Sequence, residues 1–434
     1  MSAGSYSYRA QSKILKPDHP AGSCLVGHLK SLLASGDKEA LTELLQNQVK
    51  HVDAIIELNN DDWMKEPTAV IPPQVLLGLW TLEYTQELTS PLCITCSRGY
   101  AECVRYLLHR RADPNAAPGG RSPLHEACAG GHDDCVHLLL EHGANPNKCS
   151  DDGLTPLHVC VMNSSLRCAE LLLQHGALVN ETTDATQDSS LHIAARLGLL
   201  GHVDLYLRHG ALINCRNDEG ETPLVAACTG KAGDEETRLE ICRLLLKNGA
   251  DPEAQDQQER RPLHHACRKA ESRLVELLLD AGVDVNVADY NGVQPLRCVL
   301  QSAEIYRNNK PHLTVCALLN HGARCVHPEA FGKVLRCCSG VPDVIALLYN
   351  SYLSLQICSR WRKDIPEDVF QTHQAFYTAF FNLSGTVRSL QHLCRFTLRK
   401  HFGSQCYLFI PLLPVPPVIK DYLLLITEQS SCLL

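Results

Sequence analysis

The sequence predicts an all-α protein in which a long array of helical repeats is followed by a small helical C-terminal segment. Two phrases that recur at a fixed spacing through the middle of the chain predict the array. A change in charge and apolar content near residue 384 marks the C-terminal segment. We therefore divide the 434 residues into five parts, which are 1–86, 87–325, 326–383, 384–426 and 427–434.

The first recurring phrase is Ser/Thr-Pro-Leu-His, which is complete at Leu124 and Leu157 and has one or two changes in the other copies. Its leucines are separated by 32, 33, 34, 33, 39 and 33 residues. The hydroxyl residue can cap a helix, and proline is favoured at the first helical position because its missing N–H costs nothing there. Each copy therefore predicts the start of a helix. The repeat leucines are Leu92, Leu124, Leu157, Leu191, Leu224, Leu263 and Leu296.

The second phrase, His-Gly-Ala in most copies, follows a leucine-rich run and predicts the end of a second helix. Its glycine suits the left-handed conformation at a helix end. In the first copy Arg111 replaces that glycine, and we expect a strained helix end there. Two copies contain extra residues, around 231–236 and 305–311, which we expect to form surface loops. The expected glycines are Gly143, Gly176, Gly210, Gly249 and Gly282.

Helical apolar spacing also occurs on both sides of the array. Residues 24–45 have this spacing and predict an irregular N-terminal cap, whereas 51–87 carry no clear pattern. Residues 326–350 resemble an eighth, degenerate helical pair. We therefore expect helices to extend beyond the seven clear repeats in both directions.

Composition excludes several classes of protein. The chain is 45% hydrophobic and 20% charged, which is typical of a folded protein, and its net charge of −8 argues against a dedicated nucleic-acid binder. Residues 1–10 lack the apolar core of a signal peptide, and no apolar run is long enough to span a bilayer. We therefore expect a protein of the cytoplasm, or of both cytoplasm and nucleus, whose 22 cysteines are free thiols.

The histidines and cysteines that could suggest a catalytic or metal site are locked to the repeat. The repeat histidines lie one or two repeat lengths apart, so we interpret them as backbone-bonding residues. Seven cysteines likewise occupy equivalent helix positions, which predicts buried packing. Cys93 and Cys96 have metal-site spacing but no matching second pair, and no catalytic motif occurs. We expect no catalytic residue, metal or cofactor. The repeat histidines are His125, His158, His192 and His264, and the phased cysteines are Cys96, Cys103, Cys128, Cys135, Cys168, Cys228 and Cys267.

The C-terminal segment differs from the array in charge. Residues 384–434 contain five Lys/Arg and two acidic residues, a net charge of +3, which leaves −11 for the rest of the chain. Residues 389–402 predict a helix capped by Ser389 and ended by Gly403, followed by an apolar, proline-rich stretch and a second short helix. About 40 residues cannot bury this much apolar surface alone, so either the last repeat or a partner must cover it.

These phrases carry two resemblances. The Thr-Pro-Leu-His and Gly-Ala-Asp/Asn phrases, in seven copies over 87–325, resemble the ankyrin repeat. Ser389-Leu390-x-x-Leu393-Cys394-Arg395-x-x-Leu398-Arg399 resembles the elongin-binding box of a SOCS box. Ile410-x-x-Leu413-Pro414-Val415-Pro416-x-x-Ile419-x-x-Tyr422-Leu423 resembles its cullin-5 box. Together they resemble the ankyrin-repeat and SOCS-box family, which implies an ankyrin-repeat solenoid followed by a small helical SOCS box.

The resemblance implies a non-catalytic, substrate-recognition subunit of an elongin B/C–cullin-5 ubiquitin ligase. The ankyrin face would hold a protein substrate, and the SOCS box would bind elongin B/C and cullin-5 with its ring subunit; neither nucleic acid nor membrane is implied. The implied elongin-binding residues are Leu390, Leu393, Cys394 and Leu398, and the implied cullin-binding residues are Ile410, Leu413, Pro414, Val415 and Pro416. The alternative is an ankyrin scaffold without ligase function, in which the C-terminal segment only caps the repeats.

Overall fold

The computed structural model describes residues 16–49, 51–59, 86–230 and 234–426, and they fold into two compact units. The predicted tail 427–434, residues 1–10 and part of the insertion near 231 lie outside the described residues. The first unit comprises residues up to 190 together with 208–211. Its helices are α1 (Cys24–Ser35), α2 (Lys38–Asn47), α3 (Pro91–Ser97), α4 (Ala101–His109), α5 (Pro123–Gly130), α6 (Asp133–Glu141) and α7 (Leu166–Gln174), and its strands are β1 (Ile56–Asn59) and β2 (Gln86–Thr89).

The second unit comprises residues 191–207 and 212 onward, and it holds the remaining repeats and the C-terminal segment. Its helices, apart from the end residues Ser190 and Arg208, are α8 (Ser190–Leu197), α9 (Leu200–Arg208), α10 (Pro223–Thr229), α11 (Glu235–Lys247), α12 (Pro262–Arg268), α13 (Ser272–Asp280), α14 (Pro295–Ser302), α15 (Pro311–Asn320), α16 (Phe331–Cys338), α17 (Pro342–Ser351), α18 (Glu367–Thr372), α19 (Gln374–Asn382), α20 (Leu390–Phe402), α21 (Cys406–Phe409) and α22 (Pro417–Leu423).

The N-terminal cap of the first unit is a helical pair, as its apolar spacing predicts, with a small sheet beside it. Helices α1 and α2 bury their leucines against Ile94, Tyr100 and Cys103 of the first repeat. Strands β1 and β2 pair antiparallel, with Ile56 opposite Thr89. This sheet lies at the edges of the 51–87 stretch, for which the sequence made no prediction.

One repeat departs from the predicted pair of helices. The phrase beginning at Thr155 forms only short turns, in which the His158 N–H donates to the Thr155 carbonyl at 3.0 Å, three residues back. The prediction of a first α-helix was wrong here. The β-branched Val159 and Val161 and the polar run 163–165 have low helix propensity, which explains the departure.

The helix ends follow the expected glycine rule. The predicted glycines all have positive φ, for example +85° at Gly143 and +87° at Gly176. Arg111 has φ +66°, so the strain expected from the missing glycine is present. Residues 326–350, interpreted from sequence as a degenerate helical pair, contain most of α16 and α17.

The two insertions are only partly loops. Residues 235 and 236 extend the N-terminus of α11, and Pro311 is a buried first residue of α15. Ile305 and the short 3-10 turn Arg307–Asn309 are solvent-exposed as expected, with Ile305 77% exposed. The insertions therefore lengthen or redirect second helices as well as adding surface.

The repeat histidines join successive repeats through the backbone. In His125, Nδ1 accepts from the Ser122 N–H at 3.2 Å, and Nε2 donates to the Leu154 carbonyl at 2.8 Å. His264 makes the corresponding bond to the Val293 carbonyl at 3.2 Å. Burial lowers the pKa of His125 to about 4, so its neutral ring is the form that bridges the repeats. The backbone-bonding interpretation of these histidines is confirmed at these positions.

Candidate protein-docking surface at the C-terminus

Helix α20 begins and ends where its sequence provides a capping residue at the N-terminus and a glycine at the C-terminus. The Ser389 hydroxyl accepts from the His392 N–H at 3.2 Å, which caps the first turn. Gly403 ends the helix with φ +57°, and Arg399 and Lys400 place positive charge at its C-terminal end. The helix and both of its predicted ends are therefore confirmed.

One face of α20 is fixed to the preceding helices by polar contacts. His392 Nε2 donates to the Tyr352 carbonyl at 2.8 Å, and its Nδ1 accepts from Arg395 Nη2 at 3.0 Å. Arg395 is only 2% exposed; it also donates to the Asn350 carbonyl at 3.1 Å, and its guanidinium carbon lies 4.2 Å from the centre of the Tyr422 ring. Burial lowers the pKa of His392, which keeps the ring neutral and able to accept from the arginine.

Arg399, one turn further along, joins three elements. Its Nη1 donates to Asn320 Oδ1 at 2.5 Å and to the Leu423 carbonyl at 2.9 Å, and Nη2 donates to the Leu319 carbonyl at 3.1 Å. The Asn320 amide in turn donates to the Leu424 carbonyl at 2.8 Å. Burial lowers the pKa of the Arg399 guanidinium. The arginine thus connects α15, α20 and the end of α22.

The opposite face of α20 is apolar and open to solvent. Leu390 is 76% exposed, and Leu393 and Leu398 are more than one-third exposed. The Cys394 thiol is also free and exposed. These four residues follow helical spacing, so the structure brings all of the predicted elongin-binding side chains onto one uncovered strip.

The second half of the segment has a small core of its own. Cys406, Ile410 and Leu423 are buried together, with Phe402, Leu413 and Leu424 packed against them. Ile410, one of the predicted cullin-binding residues, is fully buried and packs in this small core. Pro414 and Pro416 are exposed, whereas Leu413 and Val415 are half-buried, in an extended stretch before α22.

Sequence reasoning missed the structural role of the basic residues. The sequence pattern names Arg395 and Arg399 only as members of the elongin-binding box, yet Arg395 is buried, Arg399 is half-buried, and both anchor α20 to its neighbours. Their spacing of four residues, with His392 three residues before Arg395, places all three on one helical face. This face lies opposite the leucine face, so the spacing of the three residues could have indicated their anchoring role.

The Cys93 and Cys96 pair, which has metal-site spacing in the sequence, is part of the packed interior. Cys93 and Cys96 are buried free thiols, and burial raises the pKa of Cys93 to about 11 and that of Cys96 well above its usual range. The described residues contain no cluster of His, Cys, Asp and Glu suited to a metal ion. In the same part of the chain, no helix combines the length and hydropathy that crossing a bilayer requires.

Comparison with protein families matches both parts of the molecule. The model of ankyrin repeats (three copies) matches residues 75–149, 92–183, 142–217, 191–289 and 231–328, and the SOCS box model matches 386–424. The chain is also 46% identical over 452 residues to the human ankyrin repeat and SOCS box protein 18, covering 94% of this chain and 97% of that protein. The chain belongs to the ankyrin repeat and SOCS box family.

Two further relatives belong to the same family. The mouse ankyrin repeat and SOCS box protein 16 is 38% identical over 96% of this chain and 89% of its own length. The human ankyrin repeat and SOCS box protein 10 is 46% identical over 80% of this chain and 76% of its own length. The fold class predicted from sequence, a mostly helical ankyrin array followed by a SOCS box, is confirmed. Family membership is consistent with the general role of a substrate adaptor of a ubiquitin ligase, rather than that of a catalytic subunit.

Proposed function

We propose that this SOCS-box protein is the substrate-recognition subunit of an elongin B/C–cullin-5 ubiquitin ligase. The observation that carries the proposal is the uncovered leucine strip of α20, since the opposite face of the same helix is fixed to the repeats. An isolated chain gains nothing from exposing Leu390, whereas a partner that covers it removes apolar surface from water. Insertion of an apolar helix face into a partner's groove is a recurring mode of protein recognition.

The two halves of the box have separate tasks in this proposal. Elongin C covers the strip formed by Leu390, Leu393, Cys394 and Leu398. Cullin-5 contacts the extended stretch that contains Leu413, Pro414, Val415 and Pro416, and Ile410 holds that stretch in shape from the core. The exposed prolines support this division, because proline fixes an extended backbone before binding and reduces the entropy lost on association.

The ankyrin repeats hold the protein substrate, and the ligase core supplies the chemistry. Repeat arrays offer an extended surface that suits proteins better than small molecules. The adaptor accelerates ubiquitin transfer by raising the local concentration of a substrate lysine near the charged carrier enzyme. The substrate is then degraded by the proteasome, and the assembly works in the cytoplasm or nucleus.

Co-expression with elongins B and C tests the proposal. Leu390→Asp and Cys394→Lys place a charge on the strip and should abolish co-purification, because an unpaired charge would be buried in the complex. Leu178→Asp is the matched control, since that leucine is 54% exposed on a turn of the first unit. If both strip variants retain elongin at the level of the control, the C-terminal segment is only a cap and the chain is a scaffold.

The cullin half of the proposal is tested separately. Replacement of 413–416 by alanines should reduce capture of cullin-5 while elongin B/C still co-purifies. Equal loss of both partners would contradict the division of tasks between the two halves of the box.

A further inference from the structure

A pocket of about 400 Å³ lies in the second unit between α14 and α16, beside the turn that precedes α16. Its volume falls within the roughly 300–1,000 Å³ typical of ligand-binding clefts. The apolar side chains of Leu296, Leu300 and Val334 contribute to its lining. The pocket belongs to the repeats and is separate from the leucine strip of the SOCS box.

The pocket occurs where the repeat pattern breaks. In the preceding repeat, His264 donates to the carbonyl of Val293, 29 residues later. The seventh repeat has Arg297 at the histidine position, and the carbonyl 29 residues later, that of Val326, accepts instead from the Tyr352 hydroxyl. The histidine bond between successive repeats is therefore missing here. Arg297, which holds the position of the histidine, is exposed and lines the pocket.

The charged lining of the pocket is entirely basic. Arg297, Arg324 and Lys333 line it together with His327, and no carboxylate does. Among the described residues, none of these three cationic side chains forms an ion pair, whereas Arg336 on the same helix as Lys333 pairs with Asp364 at 2.5 Å. In a chain of net charge −8, three unpaired cations around one apolar floor form a local positive field that attracts anions.

From this arrangement we infer that the pocket binds an acidic segment of the protein substrate. Carboxylates of the segment pair with Arg297, Arg324 and Lys333, and an apolar side chain between them packs on the leucine and valine floor. Guanidinium groups suit this task because they bind carboxylates with two parallel hydrogen bonds. The lining contains no Phe, Tyr or Trp side chain on which nucleic-acid bases would stack, which favours a peptide. The inference rests on the proposed function only in assigning the segment to a substrate.

The test uses the full chain, immobilised, and a randomised peptide library with blocked termini as the probe. Peptides retained at low salt are sequenced and compared with the input pool. The retained pool should be enriched in Asp and Glu next to a leucine or valine, and retention should fall as NaCl is raised. The double variant Arg297→Glu with Lys333→Glu should weaken binding of the best acidic peptide about tenfold or more. The matched control, Arg307→Glu with Lys247→Glu, makes the same charge change at exposed sites outside the pocket and should bind normally.

Several outcomes would overturn the inference. They are a retained pool without acidic enrichment, equal binding by the pocket and control variants, or tighter retention of a single-stranded oligonucleotide that the pocket variant abolishes. Elongin B/C co-purification is measured on the same variants. Loss of peptide binding with elongin retained supports the pocket, whereas failure of the proposed function would appear as elongin binding that ignores Leu390→Asp.

Discussion

Arg111 holds a backbone conformation that is unfavourable for any residue with a Cβ atom. Its φ of +66° is the left-handed value that the equivalent glycines adopt at the ends of later repeats. Its side chain is exposed, so no buried contact offsets the strain. The stability of the surrounding repeat therefore offsets the backbone strain at Arg111.

Arg111→Gly should therefore raise the free energy of unfolding by about 1 kcal/mol, because glycine adopts this conformation without steric strain. The midpoint of thermal unfolding measures the effect. Arg110→Gly is the control, since Arg110 has φ −78° and needs no glycine. A lower midpoint for Arg111→Gly than for the parent chain would show that the strain is absent.

Among the elements, α20 uses its two faces differently: one packs on the rest of the second unit, and the other is open to a partner protein. The polar face contacts α15, α17 and α22 through His392, Arg395 and Arg399, and the leucine face remains uncovered. A helix anchored by three polar residues presents its leucines in a fixed orientation. This rigidity reduces the ordering cost when a partner binds.

Arg399→Ala should loosen the box from the repeats. The change removes the donor of the Leu423 carbonyl and of Asn320 Oδ1, at a cost of about 1–3 kcal/mol, while the Leu319 carbonyl still accepts from the Gly322 N–H. Amide hydrogen exchange in 390–423 should accelerate, and Arg399→Lys should not restore protection because one ammonium cannot reach all three acceptors. Lys400→Ala, at an exposed neighbour, is the control. Unchanged exchange in Arg399→Ala would show that apolar contacts alone hold the box.

Which elements the sequence could predict depends on how local their causes are. The caps of α20 and the glycine ends of the repeats follow from a few neighbouring residues, and these predictions are confirmed. The missing helix after Thr155 also has a local cause, but the repeat phrase outweighed the polar run that follows it. The pairing of β1 with β2 joins residues 27 to 33 positions apart, and the anchoring by Arg399 joins residues 79 positions apart; helical spacing alone reveals neither.

The candidate site was predictable in part for the same reason. The leucine strip of α20 follows from helical spacing, so the sequence alone is enough to place its residues on one helical face. Ile410 has the same apolar character as its exposed neighbours, and only the folded segment shows that it lies in the core. The roles of these residues in binding elongin and cullin stay predictions.

At the scale of the whole molecule, the repeat histidines couple stability to pH. Burial lowers the pKa of His125 from 6.5 to about 4 and also lowers the pKa values of His158 and His264. Between these values the unfolded chain binds protons that the folded chain does not, so the free energy of unfolding falls as pH falls below 6.5. At about pH 5, His125 alone should account for a loss of about 2 kcal/mol.

The urea midpoint at about pH 7 and about pH 5 measures this loss. The midpoint should be lower at the acidic pH, and His125→Asn should reduce the difference between the two. Equal midpoints in the parent chain would mean that the histidines are not held neutral by folding.

In the proposed function, one chain joins a substrate on the repeats to a ligase core on the SOCS box. The most direct test is to purify the chain from cells under proteasome inhibition and to measure ubiquitin on the proteins bound to it. The parent chain should retain ubiquitylated proteins, and Leu390→Asp should retain the same proteins without ubiquitin, because the variant leaves the repeats unchanged. Equal ubiquitin on the proteins bound by both chains would contradict the account.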